Sequence, residues 1–272
     1  MSKELSKTNQ HMQKLKNVLS ADSVKKQFEN SLKENAGSFI ASIIDLYGSD
    51  AYLQQCDPNQ VVMECLKAAT LKLPINKQLG FAYIVPYRKN GVQTPQFQLG
   101  YKGYVQLAMR TGQYKHLNPG IVYEGVNVNR DLLTGQVSFT GEPTSDKAIG
   151  YFTYMELVNG FSKVLYMTKD EIIAHAKKYS KSYNSKSSAW QTDFDSMALK
   201  TTTRLLLSKY GILSVDMISG LSSDTSDDVE TNVARDIEEN ANKETIDVDY
   251  EVVDTETEPE EPKQVTIDGP GF

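Results

Sequence analysis

Little in this chain could hold a transition metal. Its 272 residues include two cysteines, Cys56 and Cys65, and three histidines, His11, His116 and His175. The histidines lie far apart in sequence and no pair has metal spacing, while the cysteines form no zinc knuckle. Satisfied structural histidines and buried, inert thiols are the expected roles. Motifs for a nucleophile or a phosphate loop are missing too. No G-x-S-x-G occurs, and no G-x-x-x-x-G-K-[ST] to cradle a triphosphate. Lys200-Thr201-Thr202 lacks the glycines and falls in an expected helix. Apolar runs such as Leu205-Leu206-Leu207 are too short to span a bilayer, and the start Met-Ser-Lys-Glu-Leu-Ser-Lys lacks the apolar stretch of a signal peptide. A cytoplasmic chain with reduced thiols and no membrane contact is expected.

Negative charge is missing from the middle of the chain. Between Glu64 and Glu124 there is no Asp or Glu, yet Lys67, Lys72, Lys77, Arg88, Lys89, Lys102, Arg110 and Lys115 fall there. A metal-dependent nuclease would need clustered carboxylates for its cations. The formal net charge of −6 hides this asymmetry. Residues 1–220 carry 26 bases and 18 acids, a net of +8, and residues 221–272 carry 3 bases and 17 acids, a net of −14. A basic body with an acidic tail points towards polyanion binding.

Residues 1–34 are polar and lysine-rich. Leu5, Met12, Leu15 and Leu19 recur at roughly helical spacing, so the segment reads as an amphipathic helical arm. Residues 35–72 read as two helices. The second starts at Asp57 as N-cap, with Pro58 first in the helix and Gln60 completing a capping box. Residues 81–85 and 95–99 flank Lys89-Asn90-Gly91 as a β-hairpin. A helix over 100–110 follows, closed by Gly112. Residues 115–167 are strand-rich, and Asn159-Gly160 turns a second hairpin. Thr168-Lys169-Asp170-Glu171 is a capping box that opens a helix to Lys178. A Ser/Lys/Asn loop covers residues 179–188. A long helix is expected over about 190–210, with Gly211 as its C-cap. Beyond Gly220 apolar periodicity ends, so residues 221–272 read as an acidic, disordered tail for partner contact. Residues 264–268 are weakly strand-like, a short recognition peptide. The expected fold is α+β, with antiparallel sheet and hairpins packed by helices, and one domain over 35–220.

The acid-free window also holds Phe81, Tyr83, Tyr87, Phe97, Tyr101, Tyr104, Tyr114 and Tyr123. Cations neutralise phosphates and rings offer stacking faces worth roughly 1–3 kcal/mol per base, the combination a single-strand binder needs. Phe81, Phe97 and Tyr104 are instead expected in the core. On the helix over 100–110, Lys102, Gln106 and Arg110 follow at i, i+4 and i+8 and make a polar face without acids. A solvated face usually mixes signs to gain i,i+4 pairs, so phosphate contact is the favoured reading. The last helix repeats the pattern, with Lys200 and Arg204 at i,i+4, Thr203 on the same side and no acid between Asp195 and Asp216. The loop from Lys177 to Lys186 is basic and tyrosine-bearing. It reads equally as a flap over a polyanion or a solvated loop. Trp190 is expected as a core anchor.

These residues carry a resemblance. Gly80-Phe81-Ala82-Tyr83-Ile84-Val85-Pro86-Tyr87, Phe97-Gln98-Leu99-Gly100-Tyr101-Lys102-Gly103 and Leu107-Ala108-Met109-Arg110-Thr111-Gly112 resemble the signature of RecT-type phage recombinases. Trp190 and Met197-Ala198-Leu199-Lys200-Thr201-Thr202-Thr203-Arg204 are similar to that family's C-terminal core helix. The likeness runs in order from about residue 35 to 215 and looks like a Gram-positive prophage member. It implies a β-β-β-α annealing core that assembles into rings or helical filaments. It also implies ATP-independent annealing of single-stranded DNA, with no catalytic residue and no cofactor, Mg2+ at most modulating DNA binding. Implied partners are single-stranded DNA, the annealed duplex, further copies of the chain, a phage exonuclease and the host single-strand-binding protein. Carried over by position, the Tyr101-Lys102-Gly103 turn, the helix to Arg110 and the Lys200–Arg204 face line the DNA groove. The hairpin over 80–99 projects as a finger near DNA or a neighbouring subunit.

The residues expected to hold DNA are therefore Lys77, Arg88, Lys89, Tyr101, Lys102, Gln106, Arg110, Lys115, Lys200, Thr203 and Arg204. The rival readings are a basic interaction scaffold for an acidic protein and, less favoured, a metal-dependent nuclease. The acidic tail is expected to compete for basic surface, so that a chain ending at Gly220 still anneals and binds DNA more tightly at low salt.

Overall fold

The N-terminal third is helical and packed. In the computed structural model, which describes residues 2–89, 91–212 and 214–224, α1 (Ser2–Ser20) and α2 (Asp22–Leu32) precede α3 (Ala36–Ser49) and α4 (Pro58–Thr70). Leu15 and Leu19 of α1 and Phe28 of α2 are buried, in one core with Ile43 of α3 and Val61, Val62 and Cys65 of α4. The segment read as an arm thus lies against the body, because its helical stripe is matched by apolar faces on α3 and α4. The side chain of Leu5 and all of residues 225–272, including the strand-like 264–268, lie outside the described residues. Asp57 caps α4 by accepting the backbone N–H groups of Asn59 and Gln60. The reciprocal Gln60 bond of a capping box is not formed. Cys56 and Cys65 are free and buried. Burial pushes the Cys56 thiol up to about 11 and raises that of Cys65 as well, so both stay protonated and inert at neutral pH.

The first hairpin is β1 (Ala82–Lys89) and β2 (Val92–Leu99), with Lys89 opposite Val92. Its base is no free finger. Ala82, Ile84, Phe97 and Leu99 join the main core, and Glu64 of α4 accepts the Phe97 N–H at 2.7 Å. Only the end around Arg88 and Val92 is exposed, and Asn90 lies outside the described residues. After α5 (Tyr101–Met109), the strands β3 (Tyr114–Tyr123), β6 (Ala148–Leu157) and β7 (Ser162–Thr168) form an antiparallel sheet in the order β3-β6-β7. A second hairpin, β4 (Asn127–Arg130) and β5 (Val137–Thr140), is inserted between β3 and β6.

The Thr168 and Glu171 capping box opens α6 (Lys169–Tyr179) as read from the sequence. The long helix expected over 190–210 is instead two, α7 (Ala189–Thr192) and α8 (Phe194–Tyr210). Asp193 breaks it with φ −151° and ψ 66°, and its carboxylate accepts the Ser196 N–H. An N-cap acid satisfies an orphan donor of the new helix. The chain then forms α9 (Val215–Ser223). Helix α8 crosses the three-stranded sheet, completing the β-β-β-α core of an α+β fold. At their contact the fully buried Thr153 of β6 shares hydrogen bonds with Thr202 at 3.0 Å and Thr203 at 3.1 Å. A second core of Tyr151, Ile172, Ala176, Trp190, Ala198 and Leu199 fills the space between the sheet, α6 and α8.

Two glycines explain why the Leu99-Gly100-Tyr101-Lys102-Gly103 run cannot vary freely. A Cβ on Gly100 would strike the Gly80 carbonyl, and one on Gly103 the Phe81 carbonyl. The chain before β1 and the start of α5 touch backbone to backbone, held by the Gly100 N–H donating to the Phe81 carbonyl at 2.9 Å. Gly103→Ala is therefore expected to lower stability by more than about 2 kcal/mol in urea denaturation. Gly37→Ala in α3, where nothing lies within 4 Å of the new methyl, should leave stability equal or higher by up to about 1 kcal/mol.

Candidate nucleic-acid interface

Helix α5 starts at a buried glycine. Gly100 is its N-cap and offers no side-chain acceptor, and the first turn holds no carboxylate. The positive end of a helix in that condition favours an anion. Lys102 and Gln106 are exposed on this helix, one turn apart, and Tyr101 is half-buried. A Cβ on Gly80 would meet Lys102 Cδ at 3.4 Å and the Tyr83 phenol oxygen at 3.3 Å, so these two side chains converge over Gly80. Burial, then the charge of Asp193, raise the Tyr83 phenol above its ordinary value, so the ring stays neutral.

Tyr101 continues into an aromatic strip. With Tyr183 and Phe194 it packs against the cluster around Trp190. Ring centroids are 6.1 Å apart for Tyr183 and Trp190 and 5.7 Å for Trp190 and Phe194. Trp190 is the buried anchor expected of it. Lys169 sits 5.6 Å over the Phe194 ring and Lys178 4.9 Å over that of Tyr179. The loop over 179–188 is tied down by Gln191 Nε2 donating to the Tyr183 carbonyl at 2.7 Å, while Lys177, Lys178, Lys181 and Lys186 remain exposed. Cations alternating with half-buried rings can meet phosphates and bases in turn.

The other expected residues are placed differently. Lys77 pairs with Asp50 and Lys115 with Glu156, both at 2.7 Å, with the lysines exposed and the carboxylates mostly covered. Pairs with one end in solvent contribute modestly. Arg88 is exposed on β1, and the side chain of Lys89 lies outside the described residues. Arg110 does not extend the Lys102 and Gln106 face. Its guanidinium donates to the carbonyls of Leu71 at 2.6 Å and Lys72 at 2.8 Å, closing the C-terminal end of α4. It also supports Lys72, whose φ of 53° is unusual for a side-chain-bearing residue. Thr203 is fully buried, so its hydroxyl serves the Thr153 contact and reaches no sugar.

Lys200 and Arg204 also face inward, towards a group that the sequence placed in the tail. Asp224 has a side chain only 1% exposed. Its carboxylate accepts the Leu99 N–H at 2.9 Å, the Tyr104 hydroxyl at 2.5 Å and Lys200 Nζ at 2.9 Å. Burial and the Asp224 charge hold the Tyr104 phenol well above its ordinary range, with the nearby Arg204 guanidinium pulling the other way. One signal for this was available: Ser214 caps α9, and Met217, Gly220 and Leu221 continue a helical apolar stripe past the residue-220 boundary. Among the described residues no group of His, Cys, Asp or Glu could hold a metal ion, and no helix is long and apolar enough to cross a membrane.

The chain matches the RecT family over residues 37–246. It is 44% identical over 249 residues to YqaK of Bacillus subtilis (strain 168), described as an uncharacterized protein, covering 91% of this chain and 80% of that one. It is 28% identical over 178 residues to protein RecT of Escherichia coli (strain K12), covering 63% of this chain and 65% of that one.

The Asp224 junction yields a direct test. Asp224→Ala leaves Lys200 and the Tyr104 hydroxyl without their acceptor, and breaking a buried pair from one side costs about 3–5 kcal/mol. Urea denaturation should show a loss of that size. A chain ending at Gly220, expected from sequence to keep annealing, should be destabilised at least as much.

Proposed function

Because the chain belongs to the RecT family of single-strand annealing recombination proteins, we propose that it pairs complementary DNA strands without ATP or any other cofactor. The surface of Tyr83, Tyr101, Lys102, Gln106 and the lysine-bearing loop over 179–188 receives the first strand. The observation that carries this reading is the junction at Gly100. There an uncapped helix start, a lysine with no carboxylate partner among the described residues and a strip of half-buried rings meet on one face.

The mechanism needs no bond-making by the protein. Lys102 and the loop lysines neutralise phosphates and release counterions, which lowers the repulsion between two strands. Tyr101, Tyr83 and Tyr183 offer ring faces to bases, which need not be of any particular kind. Specificity then comes from base pairing in the incoming strand, as the protein contacts backbone more than base edges. Further copies lined up along one strand would hold it extended and keep the new duplex. An exonuclease that produces single strands and the host single-strand-binding protein are the partners proposed for this work.

Mixing complementary oligonucleotides with protein in the absence of nucleotide triphosphate should speed annealing well above the protein-free rate; equal rates would refute the proposal. Lys102→Ala with Lys181→Ala should weaken binding to a single-stranded oligonucleotide. The slope of log affinity against log salt should then fall by about 1.4, the amount for two phosphate contacts on a single strand. Arg110→Ala, whose guanidinium faces α4, should leave that slope unchanged while lowering stability.

A further inference from the structure

A second cleft, of about 350 Å3, lies between the β4–β5 turn, β7 and the C-terminal half of α8. Its lining is aliphatic, with Val137 and Val164 on the side of the β4–β5 hairpin and Leu165 and Leu206 on the side of α8. Leu132 and Leu133 stand at its lip, 96% and 95% exposed. They are not there through looseness. The Asp131 carboxylate accepts the N–H groups of Leu133 and Thr134, and Lys163 Nζ donates to the Thr134 carbonyl at 2.5 Å. A turn built this firmly presents two leucines to water at a standing cost.

The rim is cationic. Arg130 is engaged by Glu171 at 2.8 Å and lies 4.7 Å from the Tyr166 ring centre. Lys163 and Lys209 lie 5.6 Å and 5.2 Å from that of Tyr210, and neither has a carboxylate partner among the described residues. Asp131, the acid in the lining, is turned onto its own backbone. DNA fits this chemistry poorly. Its phosphates could use the lysines, but the aliphatic lining gives bases nothing to stack on, and the tyrosines already carry cations. An acidic peptide with alternating apolar residues fits both the lining and the rim.

The chain contains such a peptide, Ile246-Asp247-Val248-Asp249-Tyr250-Glu251-Val252. In extended form Ile246, Val248, Tyr250 and Val252 share one face, and Asp247, Asp249 and Glu251 the other. We propose that residues 246–252 dock in the cleft of their own chain, apolar face against Val137 and Val164 and carboxylates towards Lys163 and Lys209 on the α8 side. β7 is the outer strand of its sheet, so the segment can add along it as a further strand. The 21 residues from 225 to 245 span up to roughly 70 Å when extended, so reach is no obstacle.

Carbodiimide coupling of the full chain, which joins lysine amines to carboxylates in contact, tests this without DNA and so independently of annealing. Peptide mass spectrometry of the monomer band should find Lys163 and Lys209 linked to Asp247, Asp249 or Glu251. Asp247→Lys with Asp249→Lys should lower the yield of links from Glu251 to Lys163 and Lys209 at least tenfold. Lys163 supports the β4–β5 turn, so the exposed Lys209→Glu serves as a second variant and should cut the Lys163 links several-fold. Links spread evenly over the lysines of α1 and α2, links found only in dimers, or a Lys209→Glu chain with undiminished Lys163 links would each overturn the proposal. So would a Lys209→Glu chain that keeps its links but loses affinity for a single-stranded oligonucleotide, which would assign the cleft to DNA.

Discussion

The Asp224 carboxylate gathers parts of the chain that no other single group brings together. One oxygen takes the Leu99 N–H and Lys200, and the other takes the Tyr104 hydroxyl. Strand β2, helix α5, helix α8 and the end of α9 therefore meet on one anion. The face built at the start of α5 depends on this junction, because Leu99 and Tyr104 bracket Gly100, Tyr101 and Lys102 in sequence. A helix start that is to receive an anion must not drift. Here it is fixed from behind by a buried anion and from the side by the backbone contact of Gly100 and Gly103 with residues 80 and 81.

This arrangement sorts the basic residues by what their charge is for. Arg110 and Lys200 are structural cations, the first satisfied by two carbonyls at the end of α4 and the second by the buried Asp224 carboxylate. Lys77 and Lys115 are exposed lysines held by partly covered carboxylates. Lys102 and the lysines of the 179–188 loop have no carboxylate partner among the described residues. A helical face that looks uniformly basic in sequence is divided in three dimensions between cohesion and recognition, and a count of cations overstates the second. The positive balance of residues 1–220 remains, but fewer of those charges face outward than the spacing suggests.

Much of the fold was legible because its signals are local. Thr168 and Glu171 satisfy one another within three residues, and Asn159 accepts the Phe161 N–H two residues on. Such chemistry is complete within a short window, so the window reveals it. The misreadings share the opposite property. Arg110 finds its carbonyls 38 and 39 residues away, Thr203 its hydroxyl 50 away and Asp224 its phenol 120 away. Periodicity says which face of a helix a residue occupies but not what another part of the chain brings to that face. The break at Asp193 was missed for a different reason. Its capping acid is visible in the sequence, but the helix-compatible residues on both sides conceal a single residue whose φ and ψ both leave the helical region.

The contact between Thr153, Thr202 and Thr203 is neutral, dry and self-contained. Hydroxyl groups that satisfy one another carry no net charge for counterions to shield and no proton to lose near neutrality. Ionic strength acts on separated charges and leaves this junction alone. A protein that works on a highly charged polymer must release it as salt rises without coming apart itself. Joining the sheet to its helix through threonines leaves that one contact indifferent to the electrolyte, so that salt can act on occupancy without loosening it.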